Sequence, residues 1–124
     1  MEKILKYAVL SYSPFALPGE NVDLGILFCK EKQDYREFRF RKDLSELAKF
    51  GDMVDIAMVE KLLYGIKEEV ESEKYEHKVF DIDEYTRFFI NDFCFGETKM
   101  MKYDDWDRGV ERIVEMVWGR DERI

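Results

Sequence analysis

The chain is poor in the residues that carry covalent or metal chemistry. It has one histidine, His77, so any Ser/His/Asp or Cys/His set must run through that residue. Its two cysteines, Cys29 and Cys94, sit inside apolar stretches without a CxxC neighbour. They read as small buried hydrophobes of a reducing compartment. Gly19, Gly25, Gly51, Gly65 and Gly96 stand singly, so no Gly-rich loop is available to cradle a phosphate. No Lys/Arg block occurs, and the formal net charge is −8, which disfavours direct nucleic-acid binding. No apolar run reaches the length of a membrane span. Lys6 interrupts the apolar opening and no small-x-small cleavage site follows, so export is not expected and a cytoplasmic location is.

What is present is bulk. Of 124 residues, 46% are apolar and 15% aromatic, which excludes disorder as the default state. A chain of this length reads as one domain, residues 1–124, able to bury roughly two thirds of its unfolded surface. The 39% of charged residues must form most of its exterior.

Residues 4–12 read as a strand with apolar groups on both faces, central in a sheet. Pro14, Pro18 and Gly19 break the pattern into a loop. Residues 22–29 form a second strand, with Val22, Leu24, Ile26 and Phe28 on one face and Asp23, Gly25, Leu27 and Cys29 on the other. Gly25 in mid-strand marks a bulge or a close approach by something bulky. Residues 35–41 are a third strand, joined as an antiparallel meander. A short helix over 43–50 stops at Gly51, and a longer one over 52–73 buries Ile56, Val59, Leu63, Ile66 and Val70. Asp81 caps a third helix whose apolar face is Ile82, Tyr85, Phe88 and Phe89. Residues 93–95 and 98–103 are extended, either as one bulged strand or around a tight turn. Asp104 caps a last helix that ends at Gly119. The order βββ-ααα-β-α predicts an α+β domain: a mainly antiparallel sheet, built from the N-terminal meander and a later strand, with about four helices on one face.

The segment YAVLSYSPFALPGENVDLGILF, residues 7–28, carries a family resemblance. Its Tyr12, Pro14, Gly19, Glu20 and Gly25 resemble the opening of the bacterial domain-of-unknown-function family 3037. Asp23 stands where that family usually has Asn, so an amide-donor role is in doubt at that position. The resemblance implies no activity. It implies an accessory role beside HipA-like kinases, in whose neighbourhood such proteins are often encoded.

Glu20 and Asp23, beside Tyr12, can grip a cationic group on a partner. The plainer alternative has Glu20 capping loop amides and Asp23 pairing across strands with Arg39 or Arg41, at ~0.2–1 kcal/mol. His77 with Asp81 and Asp83 is a loose metal set that competes with helix capping. Asp104, Asp105 and Asp107 are better read as a helix start than as a Mg²⁺ site. Glu68, Glu69, Glu71, Glu73 and Glu76 form an acidic run interleaved with Lys67, Lys74 and Lys78, readable as a solvated helix face or as a phosphate mimic. Phe88, Phe89, Phe93 and Phe95 are either core or a sticky patch.

The expectation is a non-enzymatic interaction or accessory module of a bacterial or mobile-element system. It has no cofactor and no catalytic or metal residue, and its partner contacts lie at Tyr12, Glu20, Asp23 and Arg39. A small acidic inhibitor of a nucleic-acid-handling complex is the alternative, and a metal-dependent nuclease or phosphodiesterase a third. Self-association through the open face of the sheet is left open.

Overall fold

A strand at the start of the chain with apolar residues on both faces builds the centre of a six-stranded sheet. In the computed structural model, residues 3–31, 33, 35–72, 80–87, 89–90 and 92–119 are described. Strands β1 (Ile4–Tyr12), β2 (Val22–Lys30) and β3 (Arg36–Phe40) form the expected antiparallel meander. A 3-10 segment, Ser45–Met53, follows; its break at Gly51 has φ 57°, a left-handed value that glycine adopts without a side-chain clash. Helix α1 (Ile56–Val70) is capped by Asp55, which accepts from the amides of Ala57 and Met58. Next come α2 (Ile82–Tyr85), β4 (Phe89–Ile90), β5 (Phe93–Phe95), β6 (Lys99–Lys102) and α3 (Trp106–Trp118). The fold is α+β, and the sheet order is β3-β2-β1-β5-β4, with β6 also on β1.

β5 and β6 lie one after the other along the same flank of β1. Leu10 faces Phe95, and Tyr7 faces Lys99, so the register slips by one residue between them. The Gly96 amide still donates to the Val9 carbonyl at 2.8 Å. Residues 93–102 are therefore one interrupted strand with a bulge, the first of the two forms expected.

A second irregularity sits on the other flank. Leu10 faces Gly25 but Ser11 faces Asp23, so Leu24 is the extra residue of a bulge. The bulge reverses the phase of β2. Val22, Leu24, Leu27 and Cys29 enter one core cluster, whereas Ile26 and Phe28 enter the other. This corrects the expectation of one uninterrupted face from Val22 to Phe28. Both meanings foreseen for Gly25 hold: it adjoins the bulge, and the Phe38 ring lies where its Cβ would be.

Helices cover both faces, not one. On the first face Val59, Leu63, Ile66 and Val70 of α1 pack with Ala8, Leu10, Leu27 and Phe38, and Ile82 joins them. On the second, Val110, Ile113 and Val114 of α3 close over Leu5, Tyr7, Ile26 and Phe28. The sequence cue was β1 itself, apolar on both faces: a strand with no wet side needs two covers. Each Val, Leu, Ile and Phe among them contributes about 1.5–3 kcal/mol by leaving water. Among the described residues, no helix is long and apolar enough to cross a membrane.

Candidate functional site

The loop between β1 and β2, residues 13–21, is shaped by its prolines and pinned by a distant hairpin. The Leu17 amide donates to the Pro14 carbonyl and the Glu20 amide to the Leu17 carbonyl, both at 3.1 Å. Two successive turns result, 14–17 and 17–20, and Gly19 in the second has φ 90°. At the base, Asp92 receives the loop twice. Its carbonyl accepts from the Ser13 amide at 2.8 Å, and its carboxylate accepts from the Phe15 amide at 3.3 Å. Asp92 has φ 74° in the β4–β5 connection, a conformation that Asp tolerates at a tight hairpin.

This clamp presents apolar side chains to water. Pro14 is buried beneath the loop, but Phe15 is 90% exposed and Leu17 40%. Neither was foreseen as a contact residue, because an apolar residue is expected inside by default. The available signal was position: Phe15 and Leu17 lie between two prolines, where no strand or helix can bury them. Asp92 was equally missed, although Asn91-Asp92 between two apolar pairs has the composition of a hairpin turn.

The four residues expected at a partner contact are spread over the molecule. Tyr12 is 2% exposed, its ring edge-on to Phe50 and against Phe93, each at 5.0 Å. Burial raises its phenol pKa, and the Asp92 charge adds to this. Glu20 is exposed on the loop, 3.4 Å from the Lys49 ammonium on the 3-10 segment. Asp23 accepts from the Ser11 hydroxyl at 2.7 Å, and its carbonyl accepts from the Trp118 indole at 3.0 Å. Arg39 is bonded to Glu37 at 2.9 Å and to Glu111 of α3 at 3.4 Å. Burial lowers the Arg39 pKa, but bonding to Glu37 and the charge of Glu111 outweigh it, for a net rise. Tyr12 thus belongs to the α1 side, while Asp23 and Arg39 are tied to α3. The cross-strand ion pair expected of Asp23 gives way to a hydroxyl partner, and Arg41 pairs with Glu46 at 3.1 Å.

The other candidates resolve locally. Asp81 accepts from the Glu84 amide and caps α2; Asp83 is exposed; His77 lies outside the described residues. Among the described residues, no group of three His, Cys, Asp or Glu is placed to hold a metal. Asp105, not Asp104, caps α3 by accepting from the Arg108 amide. Glu68 and Glu69 are exposed on α1, and Glu71 is bonded to Lys67; Glu73, Lys74, Glu76 and Lys78 lie outside the described residues. Phe93 and Phe95 pack on the α1-side core. Phe89 belongs to β4, not to the third helix, and Phe88 lies outside the described residues. Cys29 is buried, which pushes its thiol up to about 11 against the opposing charge of Lys6.

No curated protein and no solved structure matches the chain. The family described as Protein of unknown function (DUF3037) matches residues 7–91, which take in β1 from Tyr7 onward, the pinned loop, the rest of the meander and α1. The chain therefore belongs to the DUF3037 family.

Proposed function

We propose that this protein is a non-enzymatic interaction module of a bacterial or mobile-element system, and that its contact element is the pinned loop, with Phe15 as the anchor. One observation carries the reading: a phenylalanine 90% exposed on a loop whose backbone is hydrogen-bonded at both Ser13 and Phe15. Aromatic anchors entering a partner's pocket dominate many interfaces, because one ring removes a large area from water. A loop already ordered by Asp92 loses little further freedom on binding. Leu17 extends the apolar surface, and Glu20 gives it a charged rim. A HipA-like kinase is the first partner to test.

The experiment compares wild type with Phe15→Ser/Leu17→Ser by quantitative mass spectrometry of proteins co-purifying from the native host. Circular dichroism is expected to be unchanged, since both side chains face water. Recovery of the partner is expected to fall about tenfold, the loss typical of an anchor residue. An identical partner set for both proteins refutes the reading.

A second reading, an acidic inhibitor of a nucleic-acid-handling complex, has its own support. Glu60, Glu68 and Glu69 are exposed on α1 of a chain carrying −8. It predicts binding that weakens steeply with salt and ignores Phe15.

A further inference from the structure

Three strands border the sheet, β3, β4 and β6, and the edges at β3 and β6 are finished in different ways. At β3, α1 closes the edge: the Glu71 carboxylate accepts from the Phe38 amide at 3.0 Å, and the Lys67 ammonium donates to the Phe38 carbonyl at 3.2 Å. These two side chains also pair with each other at 2.8 Å. The outward backbone groups of Phe38 are thereby satisfied, and another strand cannot add there.

At β6 the backbone stays open. The Tyr103 amide donates to the Lys3 carbonyl, so Met101 and Lys99 bond inward to Leu5 and Tyr7. By alternation, the amide and carbonyl of Met100 point away from β1. No described residue meets them, and Met100 is 62% exposed. This edge runs into a cleft of about 450 Å³ between residues 101–105 and the flank of α3. Gly109 lets the helix approach closely, since a Cβ there would meet Tyr103 at 3.1 Å and Leu5 at 3.2 Å. On the cleft wall stand Arg108 and Arg112, one helical turn apart, both exposed and without an ion-pair partner among the described residues. Lys3 lines it too, donating to the Asp104 carbonyl. Asp104 and Asp105 are the acidic members, and the Asp105 carboxylate is occupied by the Arg108 amide.

An open strand edge beside a helix is the geometry in which extended peptides add to a sheet. The charge of the wall decides which peptide. In a chain of −8, four cations gathered on one groove, Lys3, Lys102, Arg108 and Arg112, outnumber its two aspartates and attract an anionic segment. A second copy is the wrong occupant. Antiparallel self-pairing brings two copies of the edge carrying Lys99 and Lys102 together, along with the cations of both grooves, and like charges juxtaposed at an interface repel. We propose that β6 and the α3 flank form a docking groove for an acidic, extended segment of a partner protein. That segment adds as a strand beside Met100 and sends carboxylates to Arg108 and Arg112. The groove is separate from the Phe15 loop: β6 pairs with the beginning of β1, whereas the loop leaves its end.

The test titrates the ¹⁵N-labelled full chain with a peptide of alternating Glu and Val, about ten residues long, enough to span a strand. Controls are the Lys–Val counterpart and a Glu–Val peptide N-methylated at alternate residues. The Glu–Val peptide is expected to shift the resonances of Met100, Arg108 and Arg112 and to slow exchange of the Met100 amide about tenfold. N-methylation, and separately Arg108→Glu/Arg112→Glu, are expected to weaken it about tenfold each. Both arginines are exposed, so the variant keeps its fold; Phe15→Ser leaves the binding unchanged, which separates this groove from the loop. Equal binding of the Lys–Val peptide, a footprint that avoids Met100, or no shift at millimolar peptide overturns the proposal. So does inorganic phosphate shifting Arg108 and Arg112 when no peptide protects Met100, which assigns the cleft to a small anion.

Discussion

Replacing Gly25 by alanine adds one methyl group where the structure has no room for it. The new Cβ would lie 2.9 Å from Phe38 Cε1, closer still to Cζ, and 3.2 Å from the Arg39 carbonyl oxygen. Carbon atoms rest at about 3.5–4.0 Å, so the ring must give way by more than half an ångström. It has nowhere to go: Phe38 is wholly buried, 6.0 Å from the Phe40 ring and packed in the α1-side cluster. Overpacking of this kind costs about 1–3 kcal/mol, and the reduced freedom of an unfolded alanine returns about 0.4–1 kcal/mol, leaving a loss of about 1–2 kcal/mol. For a domain of this size the midpoint temperature falls by about 4–10 °C. Urea denaturation followed by tryptophan fluorescence measures the loss directly. The decisive form is a double-mutant cycle with Phe38→Leu, whose smaller side chain vacates part of the ring's volume. If the clash is the cause, the two substitutions couple by about 1 kcal/mol or more, the double variant being more stable than their sum predicts. A Gly25→Ala protein as stable as wild type, or strict additivity with Phe38→Leu, refutes the reasoning.

Glu71→Ala leaves the Phe38 amide without its acceptor and unpairs Lys67; a loss of about 1–3 kcal/mol is expected in urea denaturation. The uncapped β3 edge is expected to self-associate by light scattering, and Glu71→Gln, which keeps an acceptor oxygen, to do so less. Cys29 predicts a pH dependence of definite sign. Below the ordinary thiol range, folded and unfolded chains both hold the proton; above it the unfolded chain releases the proton while the buried thiol retains it. Stability therefore falls between about pH 9 and about pH 11, and Cys29→Ala removes that part of the slope in urea midpoints taken at both ends. At pH 8, iodoacetamide is expected to label the partly exposed Cys94 well before Cys29.

The strands of the meander were legible because their apolar alternation is strong and short turns leave few ways to connect them. The bulge was legible as a place, through Gly25, but not in its consequence. Only pairing with β1 reveals that Leu24 is the extra residue, and that Ile26 and Phe28 therefore face the opposite helix. The helix starts moved by a few residues: the long helix, expected from 52, is capped by Asp55, and the last is capped by Asp105 in place of Asp104. Neighbouring aspartates are equivalent as letters, and the bond each can reach depends on the path of the preceding chain. The third helix shortened to one turn because Phe89 and Ile90 pair with β5, tertiary pairing overriding local pattern. At the loop, Tyr12 could not be placed in advance, since the last residue of a strand can face either way. Phe15 ran against the usual rule for apolar side chains, and so was invisible to it.

The span that defines the family and the span that folds do not coincide. The matched residues stop at 91, one position before the aspartate that anchors the loop. A protein cut there would keep every matched residue yet leave one flank of β1 bare, and Leu5, Tyr7, Ile26 and Phe28 would meet water where α3 now lies. Heredity has marked one stretch of this polypeptide, but thermodynamics demands a longer one.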